Sequence, residues 1–267
     1  MAGLNFVDIH CSFGASVATP MWNQPEQIRS TLAQRGIGKA FLASRLARRF
    51  DPVEGNEEIL DIVTDDGTVD LRGWLVVHPS RTEDLLPQMR KHLISDRFAG
   101  AALYEDPVTG DPVTVREAAE IVRVFQRYGK PLLINTPSAK AMHEALRIAQ
   151  EFPAVKIIAS GMGGDEWREA VPLAAKPTNL SVDISGALTA AKIDYALSIY
   201  GNVRKLFFAS NSPRTDPGAV MAMLFEAKLT DEERAKILFG NAERLFGLGV
   251  AGEDDGDVPA LMPMARL

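Results

Sequence analysis

The sequence predicts an α/β protein: a single-domain (β/α)₈ TIM barrel with an extra C-terminal helix. Short apolar segments alternate about eight times with longer segments of helical periodicity. The short segments are apolar on both faces and bounded by Gly, Pro, Ser or Asn, which is typical of strands buried in a parallel sheet. The length of 267 residues fits one such barrel. We assign residues 1–248 to the barrel and expect residues 249–267, acidic and then rich in Pro and Met, to form a flexible tail.

The predicted strands are short and mostly apolar. In chain order they read LNFVDIH, GKAFLAS, RGWLVVH, AGAALYE, PLLINT, VKIIAS, LSVDIS and KLFFAS. An open doubly wound sheet is the alternative arrangement of such segments. The first strand is followed by HCSFGASVATP, which does not fit the G-x-G-x-x-G phosphate-binding pattern, so the closed ring is favoured.

The segments between the strands carry helix start and stop signals. Thr114 with Glu117, and Thr230 with Glu233, have the spacing of capping boxes. Pro25 is placed to occupy a first turn, and Gly129 follows a last turn. The predicted helices read PEQIRSTLAQRG, EEILDIVTDD, TEDLLPQMRKHLI, TVREAAEIVRVFQRYG, SAKAMHEALRIAQEF, DEWREAVPLAA, LTAAKIDYALSIYG, DPGAVMAMLFEAKL and TDEERAKILFGNAERLFGL.

Composition narrows the class of function. The net charge of −6 disfavours binding to nucleic acid or to an anionic membrane surface, because both need clustered Lys and Arg. No apolar run is long enough to cross a membrane. Cys11 is the single cysteine, so no internal disulfide can form. We therefore expect a cytoplasmic protein that handles a small molecule.

Polar residues stand at the carboxyl ends of the predicted strands, where barrels of this kind carry their chemistry. They include His10, Ser12, Ser44, Arg45, His78, Tyr104, Glu105, Asn135, Asp183, Ser185 and Asn211. Arg214 follows shortly after the last of these. These positions are the candidates for a site.

Several of the short sequence motifs that contain these residues resemble motifs of the amidohydrolase superfamily. VDIHCSFG resembles the first-strand D-x-H-x-H-x-G, and KPLLINTPS resembles the fifth-strand K-P-h-h-x-H-T, in which h is an apolar residue. VKIIASGMGG is similar to the family's sixth-strand motif, which ends in A-H-x-G-G. KLFFASNSP is similar to the eighth-strand motif G-S-D-x-P. The closing helix ILFGNAERLFGL is also similar. The resemblance runs from about residue 5 to residue 248 and points to the branch that contains small-acid decarboxylases and lactonases.

The family binds a divalent metal, and the resemblance implies that its ligands are largely replaced here. Of the positions concerned, His10 is kept, whereas the others are Ser12, Asn135, Gly161 and Asn211. Neutral hydroxyl and amide groups are weak donors, and glycine has no side chain, so we expect no metal and no other cofactor at the inherited site. A substitute set of His10, His78, Glu105 and Asp183 stays open as an alternative.

His10 is the candidate proton carrier because histidine titrates near neutrality. Asn211 stands at the position where the resemblance implies an Asp that acts as the general base. The amide of Asn211 can orient a carbonyl group or water but cannot accept a proton. The predicted substrate-binding residues are Ser12, Arg45, His78, Tyr104, Glu105, Asn135, Asp183 and Arg214. Arg45 and Arg214 would hold a carboxylate.

Some of these residues also have plain structural interpretations. Asp183 is expected to hydrogen-bond inside the barrel and Glu105 to lie on a solvated loop. His92 and His143, inside helical segments, are expected at the surface. Ser12 and His10 point in the same direction along one strand, which disfavours an activated Ser–His pair.

Two classes of function remain open on the sequence alone. The first is a metal-independent hydrolase or lyase that acts on a small carboxylated or cyclic substrate. The second is a catalytically inactive paralogue that binds a ligand or a related subunit. An ordinary metal-dependent hydrolase is the further alternative, and the resemblance is compatible with a homodimer.

Overall fold

The computed structural model describes residues 6–14, 24–63 and 68–248, so the predicted tail lies outside the described residues. Eight parallel strands pair in sequence order, β1 with β2 and onward to β8. Every predicted strand overlaps an observed one, which confirms the α/β barrel. The strands are β1 Phe6–Phe13, β2 Ile37–Ser44, β3 Asp70–Val77, β4 Phe98–Leu103, β5 Leu132–Asn135, β6 Ile157–Ser160, β7 Leu180–Asp183 and β8 Leu206–Phe207.

The ring is closed by contacts between β1 and the segment that follows β8. The backbone N–H of Ile9 donates to the carbonyl of Phe208 at 3.2 Å, and that of Ser12 to Ser212 at 2.7 Å. In the other direction, the N–H of Asn211 donates to the carbonyl of His10 at 2.9 Å. These parallel contacts extend the short β8 and exclude the open doubly wound sheet.

The connections between strands are helical, as the alternating pattern predicts. The α-helices are α1 Pro25–Gln34, α2 Arg45–Arg49, α3 Pro52–Ile62, α4 Thr82–His92, α5 Val115–Phe125, α6 Ala139–Glu151, α7 Trp167–Leu173, α8 Ala190–Tyr200, α9 Pro217–Glu226, α10 Asp231–Ala235 and α11 Asn241–Phe246. Short 3₁₀ turns cover Pro79–Arg81, Gln126–Tyr128 and Gly164–Glu166. Both predicted capping boxes, at α5 and α10, are present.

The region after β2 differs from the prediction, because it holds two helices rather than one. Ser44 caps α2 by accepting a hydrogen bond from the backbone of Ala47 at 3.1 Å. Asp51 caps α3 through the N–H groups of Val53 and Glu54, and Pro52 occupies the first turn, so α3 begins earlier than predicted. A Cβ on Gly55 would lie 2.3 Å from the backbone nitrogen of Ala47. Only glycine therefore allows α3 to pack this closely against α2.

The predicted C-terminal helix is interrupted. Lys236–Gly240 forms a π-helical turn between α10 and α11. Beyond it, the ring of Phe246 makes edge contacts with Phe41 and Trp74, at centroid distances of 4.7 and 5.8 Å. The extra helix therefore packs against the strands of the barrel.

The outer layer corrects one interpretation of the sequence. His92, expected at the surface, is 1% exposed. Its Nε2 lies 3.2 Å from Oε1 of Glu57 on α3, and its ring packs against Phe98. Burial lowers the pKa of His92 below its ordinary value. His143 is about half exposed, as expected. Among the described residues no helix has the length and apolar character of a membrane span.

A buried asparagine joins the helical layer to the sheet and gives a prediction on stability. Asn56 on α3 is fully buried; its Nδ2 donates to the carbonyl of Val76 at 2.9 Å, and its Oδ1 accepts from the N–H of Val76 at 3.0 Å. Replacing Asn56 with Ala leaves two buried backbone groups of β3 without partners. We expect Asn56→Ala to lower the free energy of unfolding by about 2–4 kcal/mol in chemical denaturation.

The control is Asn202→Ala, at an exposed asparagine whose hydrogen bonds are local to one turn. We expect Asn202→Ala to lower the free energy of unfolding by less than about 1 kcal/mol. Equal losses in the two variants would contradict the role given to Asn56.

Candidate active site

His10 is the centre of a buried polar cluster inside the ring. It lies on β1 and is 2% exposed. Its Nε2 is 3.0 Å from Oη of Tyr104, which follows β4, and its Nδ1 is 2.6 Å from Oγ of Ser160, the last residue of β6. Oδ2 of Asp183, the last residue of β7, lies 3.6 Å from the same Nδ1. One imidazole therefore connects groups carried by four strands.

Asp183 is held in place by the loops that follow β6 and β7. Its Oδ1 accepts hydrogen bonds from the backbone N–H of Gly161 at 3.1 Å and from the N–H and hydroxyl of Ser185 at 3.0 and 2.6 Å. Its Oδ2 has no hydrogen-bond partner among the described residues, and His10 is at ion-pair distance from it. Burial alone would raise the pKa of Asp183, but His10 and Ser185 outweigh burial and hold the pKa below its usual value.

A second layer of polar side chains lies next to this cluster. The guanidinium carbon of Arg48 is 3.8 Å from the centroid of the Tyr104 ring, and its Nη2 is 3.3 Å from Oε1 of Glu105. The Nδ2 of Asn135 donates to Oε2 of Glu105 at 2.6 Å. Arg45, the first residue of α2, is half-buried beside Arg48; burial and the charge of Arg48 lower its pKa. We call Arg45, Arg48, Glu105 and Asn135 the rim.

The structure brings together most of the candidates. His10, Tyr104 and Asp183 form the buried cluster, whereas Arg45, Glu105 and Asn135 belong to the rim. Asp183 does hydrogen-bond inside the barrel, as its structural interpretation predicts. The interpretation of Glu105 as a solvated loop residue is wrong, because its side chain is 15% exposed and paired with Arg48.

Asn211 and Arg214 lie on the loop that follows β8. Asn211 is half-buried and adopts a left-handed backbone conformation with φ of 58°, which asparagine tolerates better than most residues. Its backbone contact with His10 keeps it beside the cluster. Arg214 is exposed, and its binding of a carboxylate together with Arg45 stays a prediction.

Two further candidates have other surroundings. Ser12 is buried on β1, but the serine hydrogen-bonded to His10 is Ser160. His78 is half-buried, and its Nδ1 is 2.6 Å from Oγ of Ser80 in the turn after β3. Its hydrogen bonds among the described residues are thus local, and the convergence of His78 with His10 that the alternative metal set would need is not observed among the described side chains.

Ser160 and Arg48 belong to the site but were missed by the sequence argument. Ser160 is the last residue of the predicted strand VKIIAS, and its strand-end position was the signal that could have found it, but the resemblance drew attention to the next residue, Gly161. Arg48 lies three residues after Arg45, one helical turn away, but the short helix α2 was not predicted.

The donor set does not fit a divalent metal ion. Both ring nitrogens of His10 are within hydrogen-bond distance of hydroxyl groups. Among the described residues there is no group of three or more His, Cys, Asp or Glu side chains that could hold a metal. This also counts against the substitute set of His10, His78, Glu105 and Asp183. A metal site generally needs three or more anionic or strongly basic ligands.

The charge of Glu105 gives a prediction on pH dependence. Burial alone would raise its pKa, but Arg48 and the hydrogen bond from Asn135 hold the pKa below the ordinary value of 4.5. The charged form therefore stabilises the folded state above about pH 4.5, and this is lost as pH falls through the lowered value. We expect the free energy of unfolding of the wild type, relative to Glu105→Gln, to decrease below pH 4.5.

Glu58→Gln is the matched control with the opposite sign. Burial and the neighbouring Glu54 raise the pKa of Glu58 above 4.5. Its folded state takes up a proton more readily than its unfolded state, so the wild type should gain stability relative to Glu58→Gln as pH falls. Denaturation curves between pH 7 and pH 3.5 measure both. If the stability of the wild type relative to Glu105→Gln and relative to Glu58→Gln changed in the same direction as pH falls, the environment assigned to Glu105 would be wrong.

Solved structures with the same ring include enzymes that act on small acids. The structure of 5-carboxyvanillate decarboxylase from Sphingomonas paucimobilis matches with a TM-score of 0.72 and 14% identity, over 92% of this chain and 99% of that chain. The structure of dihydroxybenzoic acid decarboxylase from Polaromonas sp. JS666 contains bound manganese and the inhibitor 2-nitroresorcinol. It matches with a TM-score of 0.68 and 18% identity, over 94% of this chain and 98% of that chain.

A third similar structure is described as probable 2-pyrone-4,6-dicarboxylic acid hydrolase from Acinetobacter baumannii, with citric acid bound. It matches with a TM-score of 0.68 and 16% identity, over 91% of this chain and 99% of that chain. Identities this low establish a shared fold. No curated protein sequence matches the chain significantly.

The family is established by a different comparison. A family model described as amidohydrolase matches residues 7–248, which is nearly the whole of the described barrel and begins at the strand that carries His10. The ring, the position of His10 in it and this match agree with one another. The chain therefore belongs to the amidohydrolase family.

Proposed function

We propose that the protein is an enzyme that acts on a small carboxylated or cyclic substrate, with His10 as the proton carrier and without a bound divalent metal. The observation that carries the proposal is the placement of His10 between Tyr104 and Ser160, with the carboxylate of Asp183 3.6 Å from Nδ1. A carboxylate beside one ring nitrogen orients the imidazole and stabilises its protonated form. The other nitrogen is then the one that exchanges protons.

The charge of the rim supports an anionic substrate. Arg45, Arg48 and Arg49 all lie on α2, and the acidic side chain paired with Arg48 at this place is Glu105. Helix α2 therefore places guanidinium groups beside the cluster, in a protein whose net charge is −6. Arginine binds carboxylates with fixed geometry. The similar decarboxylases, and the hydrolase of a dicarboxylic pyrone, are named for carboxylated substrates.

Two reaction types suit this site, and both need one proton moved. In decarboxylation the substrate carbon loses CO₂ and gains a proton, which His10 would supply. In hydrolysis of a cyclic ester, His10 would take a proton from the attacking water. Asn211, adjacent to His10, carries an amide that can orient a carbonyl group or a water molecule.

Metal independence is supported by the donor chemistry of the chain. The positions that match the family's other ligands hold Ser12, Asn135, Gly161 and Asn211. The amide of Asn135 is already engaged with Glu105, and both ring nitrogens of His10 have hydroxyl partners. At these positions the chain therefore carries groups suited to hydrogen bonding rather than to metal coordination.

The test combines metal analysis with turnover. Protein purified without chelator should contain no stoichiometric zinc or manganese, and EDTA should leave its activity unchanged. A thermal-shift screen of aromatic carboxylic acids, dicarboxylates and small lactones selects compounds for turnover assays. We expect His10→Asn to lower kcat about 10²–10⁴-fold on any compound that the wild type converts.

His143→Ala is the control, because His143 is exposed on α6, away from the cluster. It should keep wild-type kcat. Near-stoichiometric metal would refute metal independence, and full activity of His10→Asn would refute the role of His10.

A ligand-binding paralogue without activity is the second candidate. The observation in its favour is the depth of the cluster: His10 is 2%, Tyr104 3% and Ser160 0% exposed. A compound that shifts the melting temperature but is not converted by the wild type would favour this candidate.

A further inference from the structure

Tyr104 connects the rim to His10. Its ring lies under the guanidinium of Arg48, and its hydroxyl reaches Nε2 of His10. Tyr104 comes immediately after the last residue of β4, whereas His10 lies three residues before the end of β1. Tyr104 therefore approaches the imidazole from the carboxyl ends of the strands, the side on which a substrate held by the rim would lie.

The direction of the Tyr104–His10 hydrogen bond follows from the surroundings. Burial, with the nearby carboxylates of Glu105 and Asp183, raises the pKa of Tyr104 far above its ordinary value, although Arg48 opposes this. The hydroxyl thus keeps its proton at neutral pH. In the described part of the chain His10 is its hydrogen-bond partner, and with Asp183 beside Nδ1 we infer that the hydroxyl donates to Nε2. The imidazole proton then lies on Nδ1, which faces Ser160 and Asp183.

Both ring nitrogens are engaged, so a proton reaches the imidazole through one of its two hydroxyl partners. Ser160 is fully buried at the end of β6, on the side of His10 that faces Asp183. Tyr104 is on the opposite side, next to the arginines that favour a carboxylate. These positions favour Tyr104 over Ser160 as the group between a substrate and His10.

We propose that Tyr104 is a catalytic residue that relays a proton between the substrate and His10. When a substrate hydroxyl or water gives up a proton, Oη of Tyr104 accepts it while the phenolic proton moves to Nε2 of His10. One proton enters and one leaves, so Tyr104 is never a free phenolate. The resulting imidazolium is stabilised by Asp183 beside Nδ1. Protonation of a substrate carbon is the same path in reverse. The relay rests on the proposed function.

The first test needs no substrate. The chain has four histidines, so ¹⁵N-histidine labelling gives a simple spectrum, in which loss of a signal in His10→Asn assigns His10. We expect the Nδ1–H tautomer in the wild type and a shift of the Nε2 resonance in Tyr104→Phe. Tyr200→Phe removes the hydroxyl of a half-buried tyrosine, which donates to the carbonyl of Val171, and should leave His10 unchanged. An Nε2–H tautomer in the wild type would overturn the relay.

The second test uses whichever compound of the screen the wild type converts. Tyr104→Phe should lower kcat about 10²–10⁴-fold with little change in KM, because the ring under Arg48 is kept. Tyr200→Phe should stay within about twofold of the wild type, as expected for a site away from the reacting atoms. Wild-type turnover with an unimpaired Tyr104→Phe variant removes the relay and leaves the proposed function standing. If the wild type converts no compound of the screen, the proposed function fails and the relay fails with it.

Discussion

The position of His10 depends on the closure of the ring between β1 and the segment that follows β8. There, backbone N–H groups of Ile9 and Ser12 donate to that segment, and Asn211 donates back to the carbonyl of His10. The buried carboxylate of Asp8 spans the same seam, accepting from the N–H groups of His10 and Ser210 at 3.2 and 3.0 Å. Closure brings β1 round to face β4, β6 and β7 across the barrel, so the imidazole meets groups distant in sequence.

The cluster around His10 is energetically unlike the rest of the core. Most buried positions of the barrel carry aliphatic or aromatic side chains, whereas His10, Ser160, Asp183 and Ser185 are polar and nearly inaccessible. Desolvating such groups costs free energy, and only good hydrogen bonds offset it. Among the described residues, Oδ2 of Asp183 has no hydrogen-bond partner to offset its burial. Titratable groups with shifted pKa values at the carboxyl ends of barrel strands are typical of functional sites, and Tyr104, with a raised pKa, and Asp183, with a lowered pKa, both lie there.

The scaffold and the chemistry of this family member are separable. The ring is shared with similar structures at 14–18% identity, because a pattern of buried apolar strands and amphipathic helices specifies it. Strand-end side chains point into the mouth and contribute little to that pattern. They can therefore vary without loss of the fold. In this chain His10 lies inside the ring, and each of its ring nitrogens is within hydrogen-bond distance of a hydroxyl group.

The sequence by itself determined the α/β barrel, the order of its strands, both capping boxes and most residues of the site, since periodicity and strand-end position are local properties. It did not determine that Glu105 is paired with Arg48, that His92 is buried, or that Ser160 is the partner of His10. Those contacts join residues that are 35–150 positions apart. Only tertiary structure decides them, because the twist and register of a closed ring set which strand ends face one another.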